Sequence, residues 1–152
     1  MSGPLDRLAE LGITLPEAPR AAGSYLPVQR SGDLLFTAGQ LPFVDGALPA
    51  TGRVGAEVSA EDAKDFARQA AVNLLAAVHA AVGLDAVEQV VKVVGFVASA
   101  EGFNGQPGVI NGASDLLVEV FGEQGRHARS AVGVAELPLG APVEVEAVLR
   151  VR

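Results

Sequence analysis

The most informative part of this sequence is RSAVGVAELPLGAPVEVEAVLRV, residues 129–151. Residues 129–136 and 143–151 have the composition of β-strands, and the segment between them contains two prolines and a glycine. The two runs are therefore predicted to pair as an antiparallel hairpin. Residues of the second run alternate in character, so that one face is apolar and the other carries Glu144, Glu146 and Arg150.

The residues before this stretch predict three further strands and three helices. Ser59 suits an N-cap, and the acidic residues after it favour the start of a helix that is expected to run to Gly83. The dipeptide Ser31-Gly32 is typical of a tight turn between two strands. The predicted strands are Tyr25–Arg30, Asp33–Gln40 and Val90–Ser99, and the other helices are Pro4–Leu11 and Pro107–Phe121.

This order of elements predicts an α+β fold with a mixed β-sheet rather than a doubly wound fold. The two longer helices are expected to pack on one face of the sheet. Valine and leucine positions on the opposite face then need a cover, and a second copy of the same chain would provide one. A homo-oligomer is therefore expected.

Length and composition restrict the class of protein. With 152 residues, 49% of them hydrophobic, and a net charge of −7, the chain is expected to form one globular domain that repels nucleic-acid backbones. The absence of cysteine excludes disulfides, thiolate nucleophiles and cysteine-based metal sites. The N-terminal residues do not resemble a signal peptide, and no apolar run is long enough for a membrane span. A cytoplasmic protein without nucleic-acid or membrane partners is expected.

Familiar catalytic signatures do not occur in this sequence. It contains no phosphate loop, dinucleotide fingerprint, zinc-protease helix motif or serine-hydrolase elbow. His79 and His127 are the only histidines, and His79 is interpreted as a structural or surface residue. For His127, which lies just before Arg129, a structural and a functional role both stay open. No metal and no cofactor are expected.

Arg129 begins a run of small and apolar residues, where its charge would be poorly solvated without a carboxylate beside it. That carboxylate could belong to a substrate, which a guanidinium binds through two parallel hydrogen bonds. It could equally belong to Glu146 or Glu144, in a salt bridge across the predicted hairpin. Glu146 is accordingly either a structural partner or a general base. The sequence pattern alone does not separate these alternatives.

Four motifs occur in an order and spacing typical of one known family. They are FTAGQLP at 36–42, VKVVGFV at 91–97, ARSAVGV at 128–134 and VEVEA at 143–147. Over residues 20–152 the chain resembles the RidA/YjgF/YER057c/UK114 family of reactive-intermediate deaminases. The combination is far more specific than any single motif.

The resemblance implies a chorismate-mutase-like fold and a homotrimer with a central β-barrel and sites between its subunits. It implies hydrolysis of small enamines and imines to 2-oxo acids and ammonia, as in 2-iminobutanoate/2-iminopropanoate deaminases, without a cofactor. By resemblance, Arg129 would hold the substrate carboxylate and Glu146 would orient or activate water. Tyr25 and Asn111 would help to close the pocket, and the backbone at Ser130-Ala131 would supply hydrogen bonds.

Several positions depart from the typical family pattern, which suggests a divergent branch. Ala38 and Ala131 replace a common serine and a common cysteine of the family. The segment from Glu101 to Val109 is longer than usual, so the correspondence of Phe103 to a pocket aromatic stays open. Residues 1–20 form an N-terminal extension with a short helix.

The sequence is compatible with three functions. The first is an imine or enamine deaminase that acts on intermediates derived from amino acids. The second is a trimer that binds 2-oxo acids or similar small carboxylates without catalysis. The third is an endoribonuclease or translation inhibitor, which the acidic net charge disfavours.

Overall fold

A computed structural model describes residues 2–21 and 23–152 of the chain. Three α-helices and five β-strands follow one another in the described ranges, with short 3₁₀ turns after α2, α3 and β4. In chain order the elements are α1 (Pro4–Glu10), β1 (Val28–Ser31), β2 (Leu34–Thr37), α2 (Ala60–Val82), β3 (Val87–Ala98), α3 (Gln106–Phe121), β4 (Ala128–Val134) and β5 (Val143–Val151).

The long helix α2 begins and ends at the residues that the sequence predicts. The Ser59 side chain accepts a hydrogen bond of 3.0 Å from the backbone N–H of Asp62, which satisfies one free donor at the helix start. Gly83 ends the helix with a φ of 79°, a conformation that costs glycine little. The buried face of α2 is rich in alanine, so the backbone of the helix lies close to its neighbours.

Strand order in the sheet is β1-β2-β5-β3-β4. The hairpin of β1 and β2 is confirmed, with Ser31 paired to Leu34 at the turn. The predicted hairpin of the last two strands is wrong, because β3 lies between them and pairs parallel to β4 and antiparallel to β5. The sequence between β4 and β5 resembles a hairpin loop, but it is long enough to pass over the end of one intervening strand.

Both long helices pack on the same face of the sheet, as predicted. On β5 the alternation is strict: Val143, Val145, Ala147, Leu149 and Val151 are buried beneath the helices, whereas Glu144, Glu146 and Val148 are half-buried and Arg150 is exposed. The side chains of the second group lie on the other side of the sheet, which we call the open face. Phe36 on β2 is 42% exposed and Val132 on β4 is 43% exposed on this open face.

The contact of α2 with α3 depends on Gly112. A Cβ atom at Gly112 would collide with the backbone carbonyl oxygen of Lys64, so the two helix backbones touch at this point. We expect Gly112→Ala to reduce the free energy of unfolding by about 1–3 kcal/mol, because the helices must move apart. Gly108→Ala, in the same helix but with open space around it, should instead be neutral or raise stability by up to about 1 kcal/mol. Urea unfolding of both variants measures the difference, and equal effects would contradict this account.

Candidate functional site

Arg129 lies near the start of β4, the edge strand of the sheet, beside Val93 of β3. Because directly paired residues share a face, its side chain lies on the helix-covered side, where it reaches α3. Its Nη1 donates hydrogen bonds to Asn111 Oδ1 at 2.8 Å and to Ser114 Oγ at 3.2 Å. Asn111 and Ser114 are three residues apart, so they project from the same side of α3.

The guanidinium of Arg129 is held by neutral groups. Within residues 2–21 and 23–152, no carboxylate forms an ion pair with Arg129, and its Nε and Nη2 donate no hydrogen bond. The alternative of a salt bridge to Glu146 or Glu144 is therefore wrong: β3 separates β4 from β5, and the two glutamates lie on the opposite face. The charge of Arg129 and one edge of its donor fork remain for a ligand.

A hollow of about 230 Å³ lies beside Arg129. Its lining residues are Ser114, Val118, Arg126, His127 and Arg129. The titratable side chains in this lining are two arginines and one histidine, and none is acidic. Such a lining favours an anionic ligand, and a planar carboxylate matches the geometry of a guanidinium fork.

The open face carries the two glutamates of β5. Glu144 is opposite Phe96 and Glu146 is opposite Val94, both on β3. Burial raises the pKa of Glu144 above its ordinary value, and the nearby charge of Glu146 raises this pKa further. A carboxyl group with a raised pKa is a candidate for proton transfer.

Gly39 provides the space that Glu144 occupies. A Cβ atom at residue 39 would overlap the carboxylate of Glu144, so the Gly39 backbone forms one wall beside that group. The next residue, Gln40, pairs with Val145 through two backbone hydrogen bonds of 2.8 Å and 3.0 Å. These bonds fix the FTAGQLP motif against β5 and thus hold Gly39 close to Glu144.

The structure brings together only some of the residues that the sequence predicts for the site. Arg129 and Asn111 are hydrogen-bonded, and Ala131 follows on the same face of β4. Glu146 lies on the opposite face of the sheet, on β5. Tyr25 precedes β1 at the other edge, about four strand spacings, or ~19 Å, from β4. One chain therefore does not assemble all of these residues into one pocket.

The sequence does not single out Ser114 or Glu144 as site residues, and it leaves the role of His127 open. Ser114 had a readable signal, because it follows Asn111 at helical spacing. Glu144 and Glu146 share a face, and the close approach of Gly39 to Glu144 is a difference that alternation along the strand does not reveal.

Among the described residues, no group of three or more histidine, cysteine, aspartate or glutamate side chains could hold a metal ion. No helix in the described ranges has both the length and the apolar character for crossing a bilayer.

Comparison with known proteins identifies the family. Residues 5–147 match the family described as "YjgF/chorismate_mutase-like, putative endoribonuclease". The chain is 46% identical to Protein TCP17 of Trypanosoma cruzi, over 93% of this chain and 90% of that protein. It is 35% identical to the 2-iminobutanoate/2-iminopropanoate deaminase of Escherichia coli, over 90% and 94% of the two chains.

A solved structure supports the same assignment. The Agrobacterium tumefaciens protein Atu1372, described as having unknown function, superposes with a TM-score of 0.91 at 47% identity, over 96% of this chain and 91% of that one. The chorismate-mutase-like α+β fold with its mixed sheet is thus confirmed. The chain belongs to the YjgF/RidA family.

Proposed function

We propose that this protein hydrolyses small imines or enamines derived from amino acids to 2-oxo acids and ammonia. The observation that carries the proposal is the state of Arg129, whose guanidinium is oriented by Asn111 and Ser114 but is not neutralised by any carboxylate of the described chain. The relative of Escherichia coli that is named an imine deaminase supports the same chemistry.

Hydrogen bonding limits how a substrate carboxylate can bind Arg129. A guanidinium has two hydrogens on Nη1, and both are directed at Asn111 and Ser114. A carboxylate can therefore form two parallel bonds only with the Nε–Nη2 edge. The backbone of Ala131, on the same edge strand, is proposed to add a further hydrogen bond to this group.

Hydrolysis then requires a water molecule and a proton carrier. Water oxygen adds to the electrophilic imine carbon while the imine nitrogen gains a proton and a carboxylate accepts one from the water. The carboxyl group then returns its proton to the amino nitrogen of the carbinolamine, the C–N bond breaks to release ammonia, and the carboxylate accepts the hydroxyl proton as the 2-oxo acid forms. We assign the proton transfer to Glu144, because its raised pKa lets it both accept and return a proton, and we assign Glu146 to orient the water.

A homotrimer would complete the site. Arg129 lies at the edge strand on the helix side, whereas Glu144 lies on the open face of the same sheet. An open face of one chain placed against the β4 edge of the next would bring these groups together and cover Phe36 and Val132. In this arrangement Tyr25 of a neighbouring chain closes the pocket, and the sheets form a central barrel.

Each chain is proposed to act as a single domain over residues 1–152, and the family match from residue 5 includes most of the N-terminal segment 1–20. The long segment 101–109 is proposed to line the rim of the pocket. Phe103 of this segment packs against the hydrophobic core and lies within 3.2 Å of the position that a Gly55 Cβ would occupy. We therefore expect the segment to be held firmly enough to limit substrate size.

Binding without catalysis is the second candidate function. Ala38 and Ala131 offer no hydroxyl or thiol where typical members of the family have them, and Arg129 alone would suffice to bind a 2-oxo acid. Such a protein would bind 2-oxobutanoate but would not accelerate ammonia release. The family description also names an endoribonuclease, an activity that the net charge of −7 disfavours. Salt-sensitive binding of RNA to the protein would support that activity instead.

The proposed function is tested with 2-iminobutanoate generated in situ and with variants of Arg129. We expect the protein to accelerate ammonia release and Arg129→Lys to weaken 2-oxobutanoate binding by roughly 10- to 100-fold, because lysine keeps the charge but loses the fork. The melting temperature should change little, since no ion pair is broken within the described chain. Calorimetric titration and a coupled ammonia assay provide the measurements. Unchanged affinity in Arg129→Lys would exclude Arg129 as the carboxylate site.

A further inference from the structure

A chain of hydrogen bonds leads from the turn after α3 to Arg129. His127 Nδ1 lies 2.6 Å from the carbonyl oxygen of Gly125, and His127 Nε2 lies 2.9 Å from Ser114 Oγ. Ser114 Oγ in turn accepts the 3.2 Å hydrogen bond from Arg129 Nη1. We call this series of contacts, from Gly125 through His127 and Ser114 to Arg129, the relay.

The direction of each hydrogen bond in the relay follows from the carbonyl oxygen of Gly125, where the relay begins. A carbonyl oxygen can only accept, so His127 Nδ1 carries a hydrogen and donates it to Gly125. In the neutral imidazole Nε2 then has a lone pair, and the Ser114 hydroxyl donates to it. The lone pairs of Ser114 Oγ are thereby left for Arg129, which has only donors.

We propose that Ser114 and His127 are positioning residues, which fix Arg129 so that only its Nε–Nη2 edge receives the substrate carboxylate. The inference rests on the proposed function and deepens it, because it names two residues that set the geometry of carboxylate recognition. Asn111 alone would hold one hydrogen of Nη1 and would leave the guanidinium able to turn about that contact. Ser114 accepts the second hydrogen of Nη1. His127 Nε2 accepts the hydroxyl hydrogen of Ser114, so that this hydrogen does not point at the guanidinium.

A purely structural role would use the same contacts differently. His127 could serve only to fasten the turn Gly122–Gly125 to β4, through the bond from Nδ1 to Gly125. In that case only Nδ1 would matter, and the state of Nε2 would be irrelevant to ligand binding. Two substitutions separate the nitrogens: the amide of asparagine can replace the Nδ1 donor, and the amide oxygen of glutamine can replace the Nε2 acceptor.

The experiment measures 2-oxobutanoate binding, binding of its uncharged methyl ester, and thermal stability. We expect Ser114→Ala and His127→Asn to weaken 2-oxobutanoate binding by about tenfold, the effect of one lost charged hydrogen bond, and to raise KM more than they lower kcat. Ser114→Thr and His127→Gln, which retain the required groups, should restore most of the affinity. Binding of the methyl ester should not distinguish these variants. Normal 2-oxobutanoate affinity in Ser114→Ala and His127→Asn would overturn the proposal.

A ligand-independent measurement keeps the proposal separate from the proposed function. The Nε–H signal of Arg129, assigned by its loss in Arg129→Lys, can be followed by ¹⁵N relaxation. We expect this group to become more mobile in Ser114→Ala and to stay ordered in Ser114→Thr. Unchanged order in Ser114→Ala would overturn the relay even if the protein released ammonia. Failure of the unsubstituted protein to bind 2-oxobutanoate or to release ammonia would instead overturn the proposed function. The relaxation measurement would still test the relay, because it needs no ligand.

Discussion

Replacement of Glu144 by glutamine is expected to lower the rate of imine hydrolysis by about 10²- to 10⁴-fold while 2-oxobutanoate still binds. Glutamine keeps the shape of the side chain beside Gly39 but can no longer exchange a proton at neutral pH. Carboxylate binding is proposed to depend on Arg129, which this substitution leaves unchanged, so the affinity should stay within about twofold. Ammonia release and calorimetric titration of the same protein sample give the two values.

The same variant should be more stable than the natural sequence at neutral pH. The pKa of Glu144 is raised in the folded chain, so the folded state holds this proton more tightly than the unfolded state does. Its ionisation therefore costs stability increasingly as the pH rises from the unfolded value through the folded value. Glutamine removes this cost, and the difference in melting temperature should shrink as the pH falls to about 4.

Glu146→Gln is the matched control, because Glu146 lies two residues away on the same face of β5. If Glu144 is the proton carrier, Glu146→Gln should retain much more activity than Glu144→Gln. The reverse order would assign the acid/base role to Glu146, as the family resemblance suggests. Loss of 2-oxobutanoate binding in Glu144→Gln would contradict the assignment of carboxylate binding to Arg129 and of proton transfer to Glu144.

Mixing two inactive proteins is expected to restore activity. If each site takes Arg129 from one chain and Glu144 from its neighbour, a trimer that contains both Arg129→Ala and Glu144→Gln chains has some sites with neither change. Equal mixing after unfolding and refolding should give about a quarter of sites intact, because each interface repeats around the symmetry axis. The expected ammonia release is therefore about a quarter of that of the natural protein.

The control for this experiment is a chain with both substitutions, refolded with each single variant. Every chain in the mixture with Arg129→Ala lacks Arg129, and every chain in the mixture with Glu144→Gln lacks Glu144. No site can then be intact, so activity should stay near the background. Light scattering on the refolded mixture would establish the trimer itself. A monomeric protein, or a mixture without recovered activity, would exclude sites shared between chains.

Much of the fold could be predicted because its signals are local. The start of α2 depends on one side-chain cap at Ser59, and its end depends on one positive φ at Gly83. Alternation along β5 likewise requires only the two-residue repeat of a strand. Strand order has no such local signal, since β3 separates β4 from β5 through pairings that are distant in sequence.

The candidate site could be predicted only in part for the same reason. Arg129 is recognisable as a charge among small residues, and the family resemblance implies that Asn111 helps to close the pocket, without indicating its hydrogen bond to Arg129. The neutral environment of Arg129 depends on which face of β4 it occupies, and that face follows from its pairing with Val93. The roles of His127 and Ser114 depend on how closely the turn Gly122–Gly125 approaches α3. No sequence pattern predicts that distance.

The position of β4 at the margin of the sheet affects how the chain must be handled. One side of this strand presents unpaired backbone amides, and residues 128–134 contain neither the proline nor the lysine that often protects such a margin. A solitary chain would therefore be open to strand addition by other molecules. If the chain forms the proposed trimer, dilution would separate the subunits and expose this edge. The apparent melting temperature would then rise with protein concentration.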